Sequence, residues 1–318
     1  MVGFRITVVL MLFSFWSEAQ QLPLYTQYRE QATLINPAAM EADFIAFGNN
    51  VSVGASYRTQ WVGMPGAPET QSLRFTYFDN SKSGVSLVMG GHIQNDQTGP
   101  TGFTGIYGKI GGVISSDPDI MGISFAITAG MMQYRIDPNK VFFKDPGETL
   151  GAEWLTKIFP DLGLGVYGYK MLEFGAFDGD FVYGGISVPQ LFALDIDFDT
   201  PDGKYGVTRV QHMYLNAGMY KYFSKESFLE PSVWLRYAGG ELYSLDVNIR
   251  YQMPGPLWIG GGYGLNQMGH LEAGVLLGEN LGLERTIKIG YGYGYSFNSI
   301  GPPTGNTHEL NLSLSFFR

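Results

Sequence analysis

Strict alternation of apolar and polar side chains most constrains what this chain can fold into, and residues 308–316 show it clearly. Successive side chains of a β-strand point to opposite faces, so this stretch predicts a strand with one apolar and one polar face. The apolar face carries His308, Leu310, Leu312, Leu314 and Phe316, and the polar face carries Glu309, Asn311, Ser313 and Ser315. The stretch ends in aromatic residues, and we interpret it as the closing strand of a transmembrane β-barrel.

The same alternation recurs along the chain. It is clearest in residues 51–58, 72–77, 244–252 and 287–295, where apolar positions oppose polar, charged or glycine positions. A soluble sheet with one buried face gives the same pattern, so alternation alone does not separate the two classes. About fourteen such segments are present, which predicts an all-β, antiparallel transmembrane barrel.

The predicted strands are separated by connections of two kinds. The strands span residues 47–58, 70–79, 84–94, 102–114, 120–134, 161–171, 180–188, 208–222, 229–238, 242–253, 257–265, 269–278, 285–296 and 307–317. Long connections are expected at residues 59–69, 136–160, 189–207 and 296–306. Short and long connections alternate, which predicts short periplasmic turns and longer extracellular loops around a barrel domain of residues 47–318.

Composition favours a membrane barrel over a soluble sheet. Charged residues make up 15% of the chain, well below the roughly 25% of ordinary soluble domains. The formal charge of −9 makes a nucleic-acid partner improbable, because such partners require basic surfaces. Cysteine is absent, so there is no disulfide framework and no thiol nucleophile.

The N-terminus has the features of a targeting segment. A positive Arg5 precedes a short apolar run, and a small-x-small site follows at residues 17–19. We therefore predict a signal peptide over residues 1–19, cleaved before Gln20, and export to the outer membrane of a Gram-negative cell. Residues 20–46 lack alternation, and Asn36-Pro37 interrupts any helix, so we expect an irregular periplasmic lead-in tucked into the barrel mouth.

Several charged residues lie at strand positions whose side chains are expected to point into the barrel. They are Arg58, Arg74, Glu230, Arg236, Asp246, Arg250 and Glu309. Charges in a lumen either tune solute passage or form a paired network that fills the space, and we favour the second. Aromatic residues near strand ends predict interfacial girdles, namely Trp61, Tyr77, Trp234, Trp258 and Tyr295, although Trp234 has inward parity.

No motif indicates catalysis, a cofactor or a metal. Gly163-x-Gly165-x-x-Gly168 matches a dinucleotide fingerprint in letters only, because it lies within a predicted strand. The acidic stretch at residues 195–203 resembles a calcium loop, but Thr200 and Gly206 occupy positions where an EF-hand needs Gly and Glu. A solvated loop is the favoured interpretation, with Ca²⁺ binding by Asp195 to Asp202 left open.

Three segments carry a resemblance to a known family. They are Pro23-x-Tyr25-x-Gln27-Tyr28 with Leu34-x-Asn36-Pro37-Ala38, then Tyr57-Arg58-x-Gln60-Trp61-x-Gly63-x-Pro65-Gly66-Ala67-Pro68, and finally His308-Glu309-Leu310. Together they resemble the PorP/SprF family of Bacteroidetes outer-membrane proteins associated with type IX secretion. The resemblance extends over the mature chain, although the chain ends in Arg318 rather than in an aromatic residue.

The resemblance implies a role in secretion. Members act with the type IX machinery to bring partner proteins, often gliding adhesins with a particular C-terminal domain, to the cell surface and hold them there. Other secretion components and peptidoglycan-binding lipoproteins are further implied partners. We expect Trp61, Pro65 and their neighbours either to form a stiff docking surface or to fold inward and cap the barrel.

Two classes of function follow. The first is a non-enzymatic barrel, without cofactor or metal, that helps to export or anchor a secreted surface protein. The alternative is an outer-membrane pore or hydrophobic-solute transporter, which bilayer conductance would distinguish from the first.

Overall fold

Antiparallel strands dominate the computed structural model, which describes residues 24–79, 84–141, 155–200, 203–224, 226–239, 243–278, 281–297 and 305–318. The strands in these ranges are β1 (Val51–Thr59), β2 (Glu69–Phe78), β3 (Val85–Thr98), β4 (Thr101–Ile114), β5 (Met121–Ile136), β6 (Leu155–Met171), β7 (Phe181–Gln190), β8 (Asp195–Thr200), β9 (Gly203–Thr208), β10 (His212–Ser224), β11 (Ser227–Tyr237), β12 (Tyr243–Gln252), β13 (Leu257–Gly264), β14 (Met268–Leu277), β15 (Arg285–Ser296) and β16 (Thr307–Phe316). The helices are α1 (Ala32–Ile35) and α2 (Ala42–Phe47), with 3₁₀ turns at Tyr28–Gln31, Pro138–Lys140 and Gly175–Phe177.

Fourteen of these strands form one closed barrel. Neighbours in the chain are neighbours in the barrel, except that β8 and β9 form a separate hairpin and β7 pairs directly with β10. The barrel is closed by β1 and β16, which pair antiparallel from Val51–Phe316 to Thr59–His308. The predicted fold class and strand number are therefore confirmed. No helix within the described ranges is long and apolar enough to span a membrane.

The barrel wall is apolar outside and polar inside. On β16, Leu310 and Leu312 are 51% and 50% exposed, whereas Glu309 and Asn311 are buried. Exposed Leu, Ile, Val, Phe and Met recur at the outward positions of the other strands. A continuous surface of this kind suits hydrocarbon and not water, so the fold is a transmembrane barrel and not a soluble sheet.

The barrel has two rims. The terminal rim contains the start of β1 and the end of β16, and the loop rim contains the opposite strand ends. Long connections lie mainly at the loop rim, the extracellular side of such barrels. The alternation of lengths is incomplete, because only residues 99–100 join β3 to β4 and only residues 265–267 join β13 to β14. Conversely, residues 172–180 form a longer turn at the terminal rim.

The connection predicted at residues 189–207 is partly a β-hairpin. β8 and β9 pair from Asp195–Thr208 to Thr200–Gly203. Ile196 and Phe198 are buried against a cluster that includes Ile136 and Phe159, where β5 and β6 extend above the loop rim. In the sequence, these two apolar residues alternate with aspartates, and this alternation is the pattern that indicates a strand here. Asp202 lies outside the described residues.

Residues 24–50, here called the plug, lie inside the barrel. Nearly all described side chains from residue 25 to residue 45 are buried. This differs from the expected irregular lead-in at the barrel mouth, because the segment contains α1 and α2 and extends through the lumen. α1 ends at Ile35, immediately before Asn36 and Pro37. The predicted leader, residues 1–19, lies outside the described residues.

Two predicted girdle residues lie inside the barrel. Trp234 and Trp258 are both almost completely buried. The Arg250 guanidinium lies 5.4 Å from the Trp258 ring centroid, a cation–π arrangement inside the lumen. The girdle prediction was therefore wrong for Trp258. Its neighbours Leu257 and Ile259 are the exposed, outward residues of β13.

The aromatic end of β16 leads to a prediction about assembly. Replacing Phe316 and Phe317 by Ser is expected to lower the amount of folded barrel in the outer membrane several-fold, because aromatic rings at the lipid interface are lost. Heat-modifiable gel mobility of outer-membrane fractions measures this amount. Ser313→Ala, on the buried face of the same strand, is the control. Unchanged levels of the double variant would place the assembly signal elsewhere.

Candidate functional site

The plug descends along the polar face of β16. Its contacts with this strand and the C-terminus follow in order: Thr26 N to Glu309 Oε2 at 2.6 Å, Gln31 Nε2 to Asn311 Oδ1 at 2.8 Å, Ser315 Oγ to Asp43 Oδ2 at 2.8 Å, and Asn50 Nδ2 to the Arg318 carbonyl oxygen at 3.1 Å. Glu309 lies near the loop rim and Arg318 at the terminal rim. The N-terminal end of the plug therefore lies near the loop rim.

Glu30 lies at the centre of a buried ion-pair network between the plug and the wall. Its carboxylate lies 2.7 Å from Arg250 Nη1, 3.2 Å from Lys288 Nζ and 3.9 Å from Arg74 Nη2. These three cations come from three different strands, so their ion pairs with Glu30 fix the plug to β2, β12 and β15.

Three further charged residues of the plug extend the network. Asp43 accepts a hydrogen bond from Lys288 Nζ at 2.5 Å, and Glu41 lies 3.8 Å from Arg74 Nε. Arg29 pairs with two wall carboxylates, Glu230 at 3.3 Å and Glu272. A charge removed from such a buried network leaves its partners uncompensated, which is strongly destabilising. The network therefore favours the seated plug.

Asn36 occupies a notch in the barrel wall. Its Nδ2 donates to the carbonyl oxygen of Val166 on β6 at 3.0 Å, and its Oδ1 accepts from Ala38 N at 2.9 Å. A side chain at Gly165 or Gly185 would collide with the Asn36 amide. The two glycines leave room for Asn36, so the Gly163-x-Gly165-x-x-Gly168 pattern belongs to a wall strand that receives the plug.

The other side of the plug is apolar. Met40, Phe44 and Ile45 belong to a buried cluster that also contains Tyr167 and Tyr220 of the wall. Tyr28 packs on Trp234 with ring centroids 5.3 Å apart. The lumen thus offers a charged surface to one side of the plug and an aromatic surface to the other. Both surfaces are complementary to the plug, and the cavities that described residues line beside it, one at Tyr25 and Tyr107 and one at Tyr28 and Tyr220, are small.

The loop from Gln60 to Pro68, here called the motif loop, is held at the loop rim by backbone hydrogen bonds. Its backbone bonds include Gln60 N to Pro68 O at 2.9 Å, Val62 N to Asn306 O at 3.1 Å, Met64 N to Trp61 O at 2.8 Å and Gly99 N to Gly66 O at 2.8 Å. The loop contains no charged residue. Val62 and Met64 are 54% and 39% exposed. The loop is therefore a preformed, uncharged and partly apolar surface.

A family model described as type IX secretion system membrane protein PorP/SprF matches residues 17–314. The chain belongs to this family. The PorP/SprF match covers nearly the whole barrel and the plug. A comparison with curated proteins finds no match.

Solved structures similar to this PorP/SprF chain are outer-membrane barrels. The Pseudomonas putida toluene transporter TodX has 10% identity and a TM-score of 0.52, with 94% of this chain and 99% of that chain covered. A Pseudomonas aeruginosa FadL homologue has 9% identity and a TM-score of 0.52, with 94% and 95% covered. At such low identity these similarities concern the barrel fold alone.

The PorP/SprF motif residues are distributed between the plug, the wall and the loop rim. Asn36 and Pro37 lie in the plug, Arg58 and Gln60 are buried at the top of β1, and Gly63, Pro65 and Gly66 are exposed. Pro65 therefore does not fold inward as a cap, and Trp61 is partly exposed with a φ of 56°. Pro68, which ends the motif loop, is also partly exposed.

The inward charges form two groups. The first group contacts the plug or its ion pairs and contains Arg58, Arg74, Glu230, Arg250 and Glu309. In the second group, Arg236 and Asp246 pair with each other at 2.5 Å. Sequence reasoning missed Glu30, Glu41, Asp43, Glu272 and Lys288. The alternation of their strands places Glu272 and Lys288 on the inner face of the barrel. The sequence around the acidic residues of the plug gives no sign that they pair with the barrel wall.

The acidic hairpin has no converging ligand set in its described part. Asp195 Oδ1 accepts a hydrogen bond from Thr208 Oγ1 at 2.7 Å. Across the described ranges, no group of three His, Cys, Asp or Glu side chains is arranged to hold a metal ion.

Proposed function

We propose that this protein is a plugged outer-membrane barrel that helps to export or anchor a type IX-secreted surface protein. Membership of the PorP/SprF family and the membrane-barrel fold support a place in the secretion system. The natural partner is a secreted protein with a type IX C-terminal domain. Contacts with other secretion components and with a peptidoglycan-binding lipoprotein belong to the same proposal, as do a cleaved signal peptide and the absence of catalysis.

The seated plug is the observation that carries this proposal. Its charged side is fixed by ion pairs with Arg74, Arg250 and Lys288, and its apolar side packs against tyrosines. A lumen filled in this way opposes free solute flow, whereas a pore or transporter requires a path. An anchor or export adaptor requires a stable barrel with an exposed docking surface, and the motif loop supplies such a surface.

Conductance separates the proposal from the alternative of a pore or hydrophobic-solute transporter. Purified protein in planar bilayers is expected to show only rare, brief conductance events, because the plug fills the lumen. A steady ohmic conductance in the native protein would favour the pore.

A deletion strain tests the secretion role directly. We expect at least one surface protein with a type IX C-terminal domain to be unsecreted or unattached when the gene is deleted, and to be restored by the wild-type gene. The same protein should co-purify with the barrel in mild detergent. Normal surface display of every such protein in the deletion strain would contradict the proposal.

A further inference from the structure

Three segments that are distant in sequence meet at a buried point below the motif loop. Arg58 Nη1 donates to Gln60 Oε1 at 2.7 Å, at the base of the loop. Arg58 Nε lies 3.6 Å from Glu309 Oε2. The Glu309 carboxylate in turn accepts from the backbone nitrogens of Thr26 at 2.6 Å and Gln27 at 3.2 Å. A continuous polar path thus joins the motif loop to the upper end of the plug.

All members of this path are buried. Arg58, Gln60, Glu309, Thr26 and Gln27 are each at most 6% exposed. Charges at low dielectric interact more strongly than charges at a surface, so displacement of one member changes the energy of the next. The exposed surface of the motif loop is uncharged, and Arg58 links the base of the loop to the charged interior.

Arg58 is held between two acceptors without satisfying all its donors. Among the described residues, neither its Nε nor its Nη2 has a hydrogen-bond partner. The ion pair with Glu309 is therefore looser than the hydrogen bond to Gln60. A displacement of Gln60 is expected to draw Arg58 with it and to leave the Glu309 carboxylate without its counter-charge.

We propose that Arg58 is a positioning residue that couples occupation of the motif loop to the seating of the plug. An occupant that moves the loop weakens the Arg58–Glu309 pair, and the upper end of the plug loosens as a result. The barrel interior thereby responds to a partner on the outer surface. The inference rests on the proposed function only for the identity of the natural occupant, a folded protein surface without strong charge.

The coupling is measurable in the purified full-length protein, because the native chain has no cysteine. Met64→Cys allows biotin-maleimide to be attached to the motif loop, and streptavidin then serves as a bulky surrogate occupant. Hydrogen exchange at the Thr26 and Gln27 amides reports the seating of the plug. We expect streptavidin to accelerate this exchange about tenfold, a size typical of coupling between two sites.

Three further variants show whether the response depends on the proposed path. Gln60→Ala removes the loop side of the path, so the response to streptavidin, measured against the exchange rate of this variant without streptavidin, should vanish. Leu265→Cys provides a second attachment site at the loop rim, 57% exposed in the turn between β13 and β14, where streptavidin should have no effect. Arg58→Lys, which retains the charge, should preserve part of the response.

Each outcome decides for or against the coupling. An acceleration that requires Met64→Cys labelling and an intact Gln60 supports it. No acceleration, or the same acceleration in the Gln60→Ala background, overturns it. If streptavidin does not accelerate exchange but the protein still retains its secreted partner in cells, the coupling is wrong and the proposed function stands.

Discussion

Glu30→Gln is expected to convert the closed barrel into a conducting one. The substitution keeps the volume of the side chain but removes the carboxylate that compensates Arg250, Lys288 and Arg74. Breaking a buried ion pair on one side costs about 3–5 kcal/mol, which raises the population with a displaced plug by about two to four orders of magnitude. Planar-bilayer recordings of purified protein should therefore show frequent, long openings.

A matched control is available at the terminal rim. Glu173 is exposed in the turn between β6 and β7, and Glu173→Gln should leave the recordings unchanged. Heat-modifiable gel mobility should show that both variants retain the barrel. A folded Glu30→Gln protein as silent as the native protein would show that the ion-pair network does not hold the lumen closed.

Gly165→Ala is expected to displace Asn36 from its notch. The new methyl group would overlap Asn36 Oδ1 and lie 3.0 Å from the Ala38 nitrogen. Overpacking of this kind costs about 1–3 kcal/mol, and the lost hydrogen bonds of a buried amide add about 1–3 kcal/mol. Hydrogen exchange of residues 34–40 should accelerate, and the unfolding temperature of the protein in detergent should fall.

Gly168, on the same strand, provides the comparison. A methyl group there meets nothing nearer than the Gly122 carbonyl oxygen at 3.8 Å, so Gly168→Ala should change neither measurement. Adding Asn36→Ala to Gly165→Ala should recover part of the loss, because the overlap disappears. Equal behaviour of the two single glycine variants would mean that the notch does not position the plug.

The strands could be predicted because their signal is local. Each strand alternates within ten or so residues, so even the glycine-rich β13, Leu257–Gly264, was recognisable without knowledge of its neighbours. The alternation of β13 places Trp258 on the inner face, where the general preference of Trp for the lipid interface does not apply. β8 and β9 were missed because their two apolar residues are too few to distinguish a strand from an acidic loop.

The plug could not be predicted because its determinants are distant in sequence. α1 has four residues and α2 has six, too few for a helical period to be visible. Glu30 acquires its role only when β12 and β15 bring Arg250 and Lys288 to it, more than two hundred residues later. The Asn36 notch depends likewise on two glycines of different strands. These contacts belong to the closed barrel and not to any segment alone.

The course of the plug along β16 makes sealing of the lumen depend on the strand that closes the barrel. β16 supplies Glu309, Asn311 and Ser315 to the plug as well as the partner edge for β1. Without this strand, the sheet would have an open edge, and the plug would lose its hydrogen bonds to Glu309, Asn311 and Ser315. Pairing of β16 with β1 therefore closes the barrel wall and completes the contacts that seat the plug in a single event.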